Sequence, residues 1–113
     1  MQQLRKIHQK CTQGKMSVPE AVRSIDQLVG GISRVSFQEG KKLTIANENT
    51  AYSLPVHGLR KKEQDRLYGL AAVAYQQAQQ NGSKFPGEVH ISKYASTKHH
   101  SEGIYDLQRR YAA

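Results

Sequence analysis

The stretch at residues 59–80, LRKKEQDRLYGLAAVAYQQAQQ, is the longest helical pattern in the chain and constrains the rest of it. From Leu67 onward, Leu67, Leu70, Ala71, Ala74, Tyr75 and Ala78 fall on one arc, with Tyr68 at its edge. The small side chains allow a sheet or another helix to approach closely, and Asn81-Gly82 ends the element. Val73 lies off that arc, which predicts a second, smaller contact. Burial of Leu67 and Leu70 contributes about 1.5–3 kcal/mol each, so the helix is a principal stabiliser. An apolar helix arc needs a covering layer, and the chain on either side must provide it.

Ahead of it, residues 2–13 place Leu4, Ile7 and Cys11 on one side of a short helix with His8 beside them, and Arg5, Lys6, Gln9 and Lys10 opposite. Gly14 closes that helix. Ser17-Val18-Pro19-Glu20 is the clearest start signal in the chain. Ser17 can accept a first-turn N–H, Glu20 can reach back, and Pro19 is tolerated where N–H groups lack intrahelical partners. Val18, Ala21, Val22, Ile25, Leu28 and Val29 then predict a core face up to Gly30-Gly31. The pair reads as an ordinary αα-hairpin. As a helix-turn-helix its second helix would offer Glu20, Arg23, Ser24 and Gln27, with Arg23 the lone cation among them.

From Arg34 the period changes to alternation. Val35 and Phe37 alternate with polar residues, Glu39-Gly40-Lys41 turns, Leu43 and Ile45 continue, and 47–49 turn again. Residues 51–56 supply a third strand, with Pro55 marking an edge or a strand end. Val89 and Ile91 predict a fourth strand at 88–92. Ser101 caps a last helix in which Ile104, Leu107 and Tyr111 line up. The order α-α-β-β-β-α-β-α predicts one compact α+β domain over residues 1–113. A small, mostly antiparallel sheet, a three-strand meander plus one strand, would pack on the long central helix. An N-terminal αα-hairpin and a C-terminal helix complete it. The alternative is a winged-helix-like arrangement with a basic hairpin.

Seventeen Lys and Arg against nine acids give a formal charge of +8, which favours polyanionic partners. Arg60, Lys61 and Lys62 stand at the start of the long helix, where the dipole already favours anions. Glu63 and Asp65 relieve this in part; a bound phosphate would account for the rest, and a solvated charged turn is the plainer alternative. The expected nucleic-acid contacts are Arg60, Lys61, Lys62 and Arg66, then Lys41 and Lys42 at the hairpin turn, then Arg5, Lys6 and Lys10. Tyr68 and Tyr94 interleave with cations, as stacking residues do in single-strand binders. Tyr75 and Tyr111 read as core edges with a wet hydroxyl.

The function this favours is a small, non-catalytic nucleic-acid-binding protein, an accessory or regulatory factor contacting DNA or RNA through its phosphates. A metal-independent ribonuclease or toxin using His90, His99 or His100 is a second reading, since imidazole suits proton transfer near neutrality. A third is an adaptor or inhibitor docking on an acidic protein. No paired spacing of zinc ligands occurs, and no GxxxxGK[ST], GxGxxG or CxxC motif, so neither a metal nor a cofactor is expected. Cys11 stands alone, which excludes an internal disulfide and fits a reducing compartment. With no apolar run of about 18 residues and no leader-like start, a soluble cytoplasmic protein without a membrane partner is expected. The large apolar side chains are few for a packed domain, which leaves room for a homodimer.

Overall fold

The computed structural model describes residues 2–38, 41–90 and 100–112. Its elements run α1 (Gln2–Thr12), α2 (Val18–Val29), β1 (Arg34–Gln38), β2 (Lys42–Ala46), β3 (Ala51–Pro55), α3 (Lys61–Gln80), β4 (Gly87–His90) and α4 (His100–Ala112). This is the α+β order expected from the periodicity. The strands form a four-stranded sheet in the order β3-β2-β1-β4.

β1, β2 and β3 make the antiparallel meander, with Val35 opposite Ile45 and Leu43 opposite Leu54. β4 joins the free side of β1 in parallel, Phe37 standing opposite Val89. Parallel neighbours need a crossover, and α3 lies within it. Gly87 opens β4 at φ 108°, where a Cβ would stand 1.9 Å from the Val35 carbonyl oxygen, so no other residue fits. β1 and β2 are therefore the central strands of the sheet, and the basic hairpin is part of the core layer rather than a projecting wing.

Alternation sends Val35, Phe37, Leu43, Ile45, Tyr52, Leu54 and Val89 to one face, where they join α1, α2 and α3 in one hydrophobic cluster. The ends of α2 follow their local chemistry. Ser17 Oγ accepts the Glu20 N–H at 3.3 Å, Pro19 sits in the first turn, and Gly30 closes the helix in the left-handed conformation. Beyond that cap, Asp26 Oδ1 accepts from the Ile32 N–H at 2.8 Å and from Asn81 Nδ2 at 2.9 Å. Asn81 Nδ2 also donates to the Ile32 carbonyl. This ties the α2–β1 turn to the end of α3.

Two sequence expectations about packing need correction. Leu28 was expected in the α2 core face but is 45% exposed, because the stripe Val18, Ala21, Val22, Ile25, Val29 already fills the contact. On α3 every residue from Leu67 to Ala74 is buried, not one arc. The reason is α4, which covers a further side of α3 beside those taken by the sheet and the N-terminal helices. Gln108 Nε2 donates to the Ala72 carbonyl at 3.0 Å, and the Tyr111 hydroxyl donates to Asp65 Oδ2 at 2.9 Å. The Tyr111 ring lies against Gly69. The second contact inferred from Val73 is thus a whole helix–helix interface.

Candidate functional site

The cations singled out from the sequence sit on three elements that meet near the start of α3. Arg60 occupies the N-cap, and its backbone N–H donates to Glu63 Oε1 at 3.1 Å. Gln64 Nε2 donates to the Leu59 carbonyl at 3.1 Å, which fixes the entry into the helix. The carboxylate of Glu63 thus answers part of the strain of placing cations at a helix N-terminus. Arg60, Lys61 and Lys62 stay exposed.

α1 is held against this turn. Arg66 Nη1 donates to the Thr12 carbonyl at 2.9 Å, and its guanidinium covers Gly14, just past the α1 terminus. A carbonyl left unpaired at a helix end is a natural acceptor for such a donor. Arg66 is therefore engaged by the fold, unlike Lys61 and Lys62. Thr12, Gln13, Arg60, Lys61, Lys62, Glu63 and Arg66 line a groove of about 660 Å³. Around the corner Lys15, Arg66 and Arg110 border a further hollow of about 410 Å³.

The other cations extend the tract. Arg5, Lys6 and Lys10 are exposed along α1, and Arg5 reaches the Tyr52 hydroxyl. Burial pushes the Tyr52 phenol up, with Arg5 opposing it. Lys41 and Lys42 lie at the end of the β1–β2 hairpin. The Val56 N–H donates to the Lys41 carbonyl at 3.2 Å, so the hairpin end is joined to the segment that leads into Arg60. Among the described residues, Lys6, Lys10, Lys41, Lys42, Arg60, Lys61 and Lys62 enter no ion pair. By contrast Arg109 pairs with Asp106, and Arg110 with Asp65 at 3.4 Å.

Tyr68 is corrected. It is 5% exposed, edge-on to Phe37 with ring centroids 5.6 Å apart, and offers no face to a base. A position at the edge of the predicted arc concealed this, because the covered surface of α3 is wider than that arc. Tyr94 and His99 lie outside the described residues. His90 ends β4 and His100 opens α4, and the side chains of both are likewise outside the described set. α4 begins at His100, one residue ahead of the expected cap Ser101. Lys15, His57 and Arg110, not singled out as contacts from the sequence, border surface hollows only through tertiary placement.

Beneath the tract lies His8, 8% exposed, whose Nε2 finds no hydrogen-bond partner. Burial holds its pKa below the ordinary value, and the nearby Glu63 carboxylate opposes the shift. Cys11 beside it is fully buried; burial pushes its thiol to about 11, against the pull of Arg66. Such a thiol is inert at neutral pH. Among the described residues no group of His, Cys, Asp or Glu is arranged to hold a metal ion, and no helix is long and apolar enough to cross a membrane.

Fold and surface together define an α+β protein with a cationic tract around the start of its central helix. No family model, curated protein or solved structure matches the chain.

Proposed function

We propose that this chain is a small nucleic-acid-binding protein without catalysis of its own, an accessory or regulatory factor that holds the phosphate backbone of DNA or RNA. The observation that carries the reading is the docking of α1 on the start of α3 through Arg66 and Thr12. It sets the end of α1, a helix whose exposed residues include Arg5, Lys6 and Lys10, against Arg60, Lys61 and Lys62, which line a groove with Thr12, Gln13, Arg66 and the acid Glu63. Unpaired cations on a shaped surface neutralise phosphates and release condensed counterions, which gives affinity without reading sequence. Hydrated lysines scattered over a surface would serve solubility alone; a groove in which Arg60, Lys61, Lys62 and Arg66 outnumber the one described acid, Glu63, itself accepting from the Arg60 N–H, favours a polyanion.

The test is a salt titration of binding to mixed-sequence DNA duplex, single-stranded DNA and RNA. Each phosphate contact adds about 0.7–0.9 to the slope of log affinity against log salt. A steep fall is expected, together with loss of most binding in Lys61→Glu/Lys62→Glu. A flat salt response, or no binding at low salt, removes the reading. Incubation with RNA in chelator accompanies the titration, and the RNA is expected to stay intact.

A further inference from the structure

The helices cover one face of the sheet, and the opposite face is polar and cationic. It presents Arg34, Ser36 and Gln38 from β1, Lys42 and Thr44 from β2, Ser53 and Pro55 from β3, and Glu88 from β4. The register sorts these into rows across the strands. Ser36 stands opposite Thr44 and Thr44 opposite Ser53, a line of hydroxyls in which Thr44 and Ser53 share a hydrogen bond of 3.2 Å. One pleat along, Gln38 stands opposite Lys42, and Lys42 opposite Pro55. Neighbouring strands lie about 4.8 Å apart, so these donors are closely spaced. Where the rows reach the turn into α3, Ser36, Gln38, Lys41, Lys42, Ser53 and His57, together with the apolar Leu54 and Pro55, line a groove of about 700 Å³. No acid among the described residues lines it. Glu88, the acid on this face among the described residues, belongs to β4 and stands opposite Ser36, at the far end of the hydroxyl row from Ser53 and across β1 from Lys42.

We infer that this groove is a second phosphate-contact site, and that the nucleic acid held at α1 and α3 continues over the turn at residues 56–59 onto the open sheet face. The inference rests on the nucleic-acid reading above and extends its footprint to Ser36, Gln38, Ser53 and His57. Charge complementarity selects the occupant. Lys41 and Lys42 are exposed and enter no ion pair among the described residues, and the hydroxyls and the Gln38 amide beside them are donors of a size to meet phosphate oxygens. Continuity with the first groove runs through the backbone: the Val56 N–H donates a hydrogen bond to the Lys41 carbonyl, and residues 57–59 lead directly to Arg60.

The experiment compares Lys41→Gln/Lys42→Gln with Lys61→Gln/Lys62→Gln and the unsubstituted protein, each titrated with the same mixed-sequence duplex over a range of salt. Circular dichroism confirms that the exposed substitutions leave the fold intact. The Lys41/Lys42 pair is expected to lower the salt slope by about 1.8, one unit of ~0.9 for each phosphate. Ser36→Ala/Ser53→Ala is expected to weaken binding about fivefold for each hydroxyl removed. Acylation of lysines with and without duplex gives an independent readout, with Lys41 and Lys42 protected in the complex. An unchanged slope and equal labelling, while the Lys61/Lys62 pair still weakens binding, overturns the second site and leaves the first. Protection of these lysines by an acidic protein but not by duplex overturns it as well. An unsubstituted protein that does not bind duplex removes both proposals together.

Discussion

Replacing Gly69 with Ala tests the least local part of the fold, the seating of α4 on α3. On propensity alone the change favours the folded state by about 1 kcal/mol, since Gly69 lies inside a long helix. The tertiary structure opposes it. A Cβ at this position would stand 2.5, 2.7 and 2.8 Å from three atoms of the Tyr111 ring, about 1 Å inside ordinary contact. The ring cannot retreat freely, because its hydroxyl is bonded to Asp65 one turn earlier on α3. Overpacking of this kind costs about 1–3 kcal/mol, and breaking the Tyr111–Asp65 bond adds about 1. The net expectation is a loss of about 1–3 kcal/mol, read from urea unfolding with an unchanged m-value. In the Tyr111→Ala background the same substitution should instead stabilise by about 1 kcal/mol, a coupling of roughly 2–4 kcal/mol in the double-mutant cycle. If Gly69→Ala alone stabilises the protein and the coupling is near zero, α4 does not pack there and the reasoning fails.

Further outcomes follow from the buried polar groups. The pKa of His8 is held below its ordinary 6.5, so as pH falls the unfolded chain takes up this proton first. Its contribution to stability is therefore complete above about 6.5 and declines as pH falls toward the depressed folded value; His8→Gln should flatten the unfolding free energy across that window, and identical profiles would refute this. Cys11, with its thiol pushed to about 11, should resist a thiol reagent at pH 8 until denaturant opens the fold; immediate labelling of the native protein contradicts the packing of α1. Asp26→Ala removes the acceptor shared by the Ile32 N–H and Asn81, and should cost about 1.5–3 kcal/mol in thermal or urea unfolding, less than additively with Asn81→Ala. Arg66→Ala should lower stability by about 1–2 kcal/mol through the Thr12 carbonyl it abandons, yet leave the salt slope of nucleic-acid binding unchanged. A reduced slope with unchanged stability would return Arg66 to the binding surface.

Much of the fold was legible because the signals were local. The period of 2 in Val35-Phe37 and Leu43-Ile45, and the Ser17-Pro19-Gly30 boundaries of α2, each act within a few residues. The candidate site was legible as a set of cations but not as a surface. Arg60, Lys61 and Lys62 could be read as misplaced charges, while Lys15, Arg110 and His57 gave no sequence signal, because their membership depends on which elements touch. Arg66 and Tyr68 looked like their exposed neighbours on α3, yet one closes the end of α1 and the other packs on Phe37. A helical period tells which residues share a side, not how many sides will be covered.

By itself, then, the sequence determined the element order, the wet and dry faces of the meander, the core stripes of α1 and α2, and an excess of positive charge with no local motif for chemistry. These follow from propensity, capping and alternation, whose physical range is a turn of helix or a pleat of strand. Tertiary structure alone decided that β4 joins β1 in parallel, that α3 is covered by α4 as well as by the sheet and the N-terminal helices, and that α1 is clasped to the start of α3. Those outcomes turn on contacts between residues far apart in the chain, such as Arg66 with Thr12 and Tyr111 with Gly69. The same long-range contacts separate the cations of the 59–80 helix, holding Arg66 within the fold while Arg60, Lys61 and Lys62 remain exposed at its start.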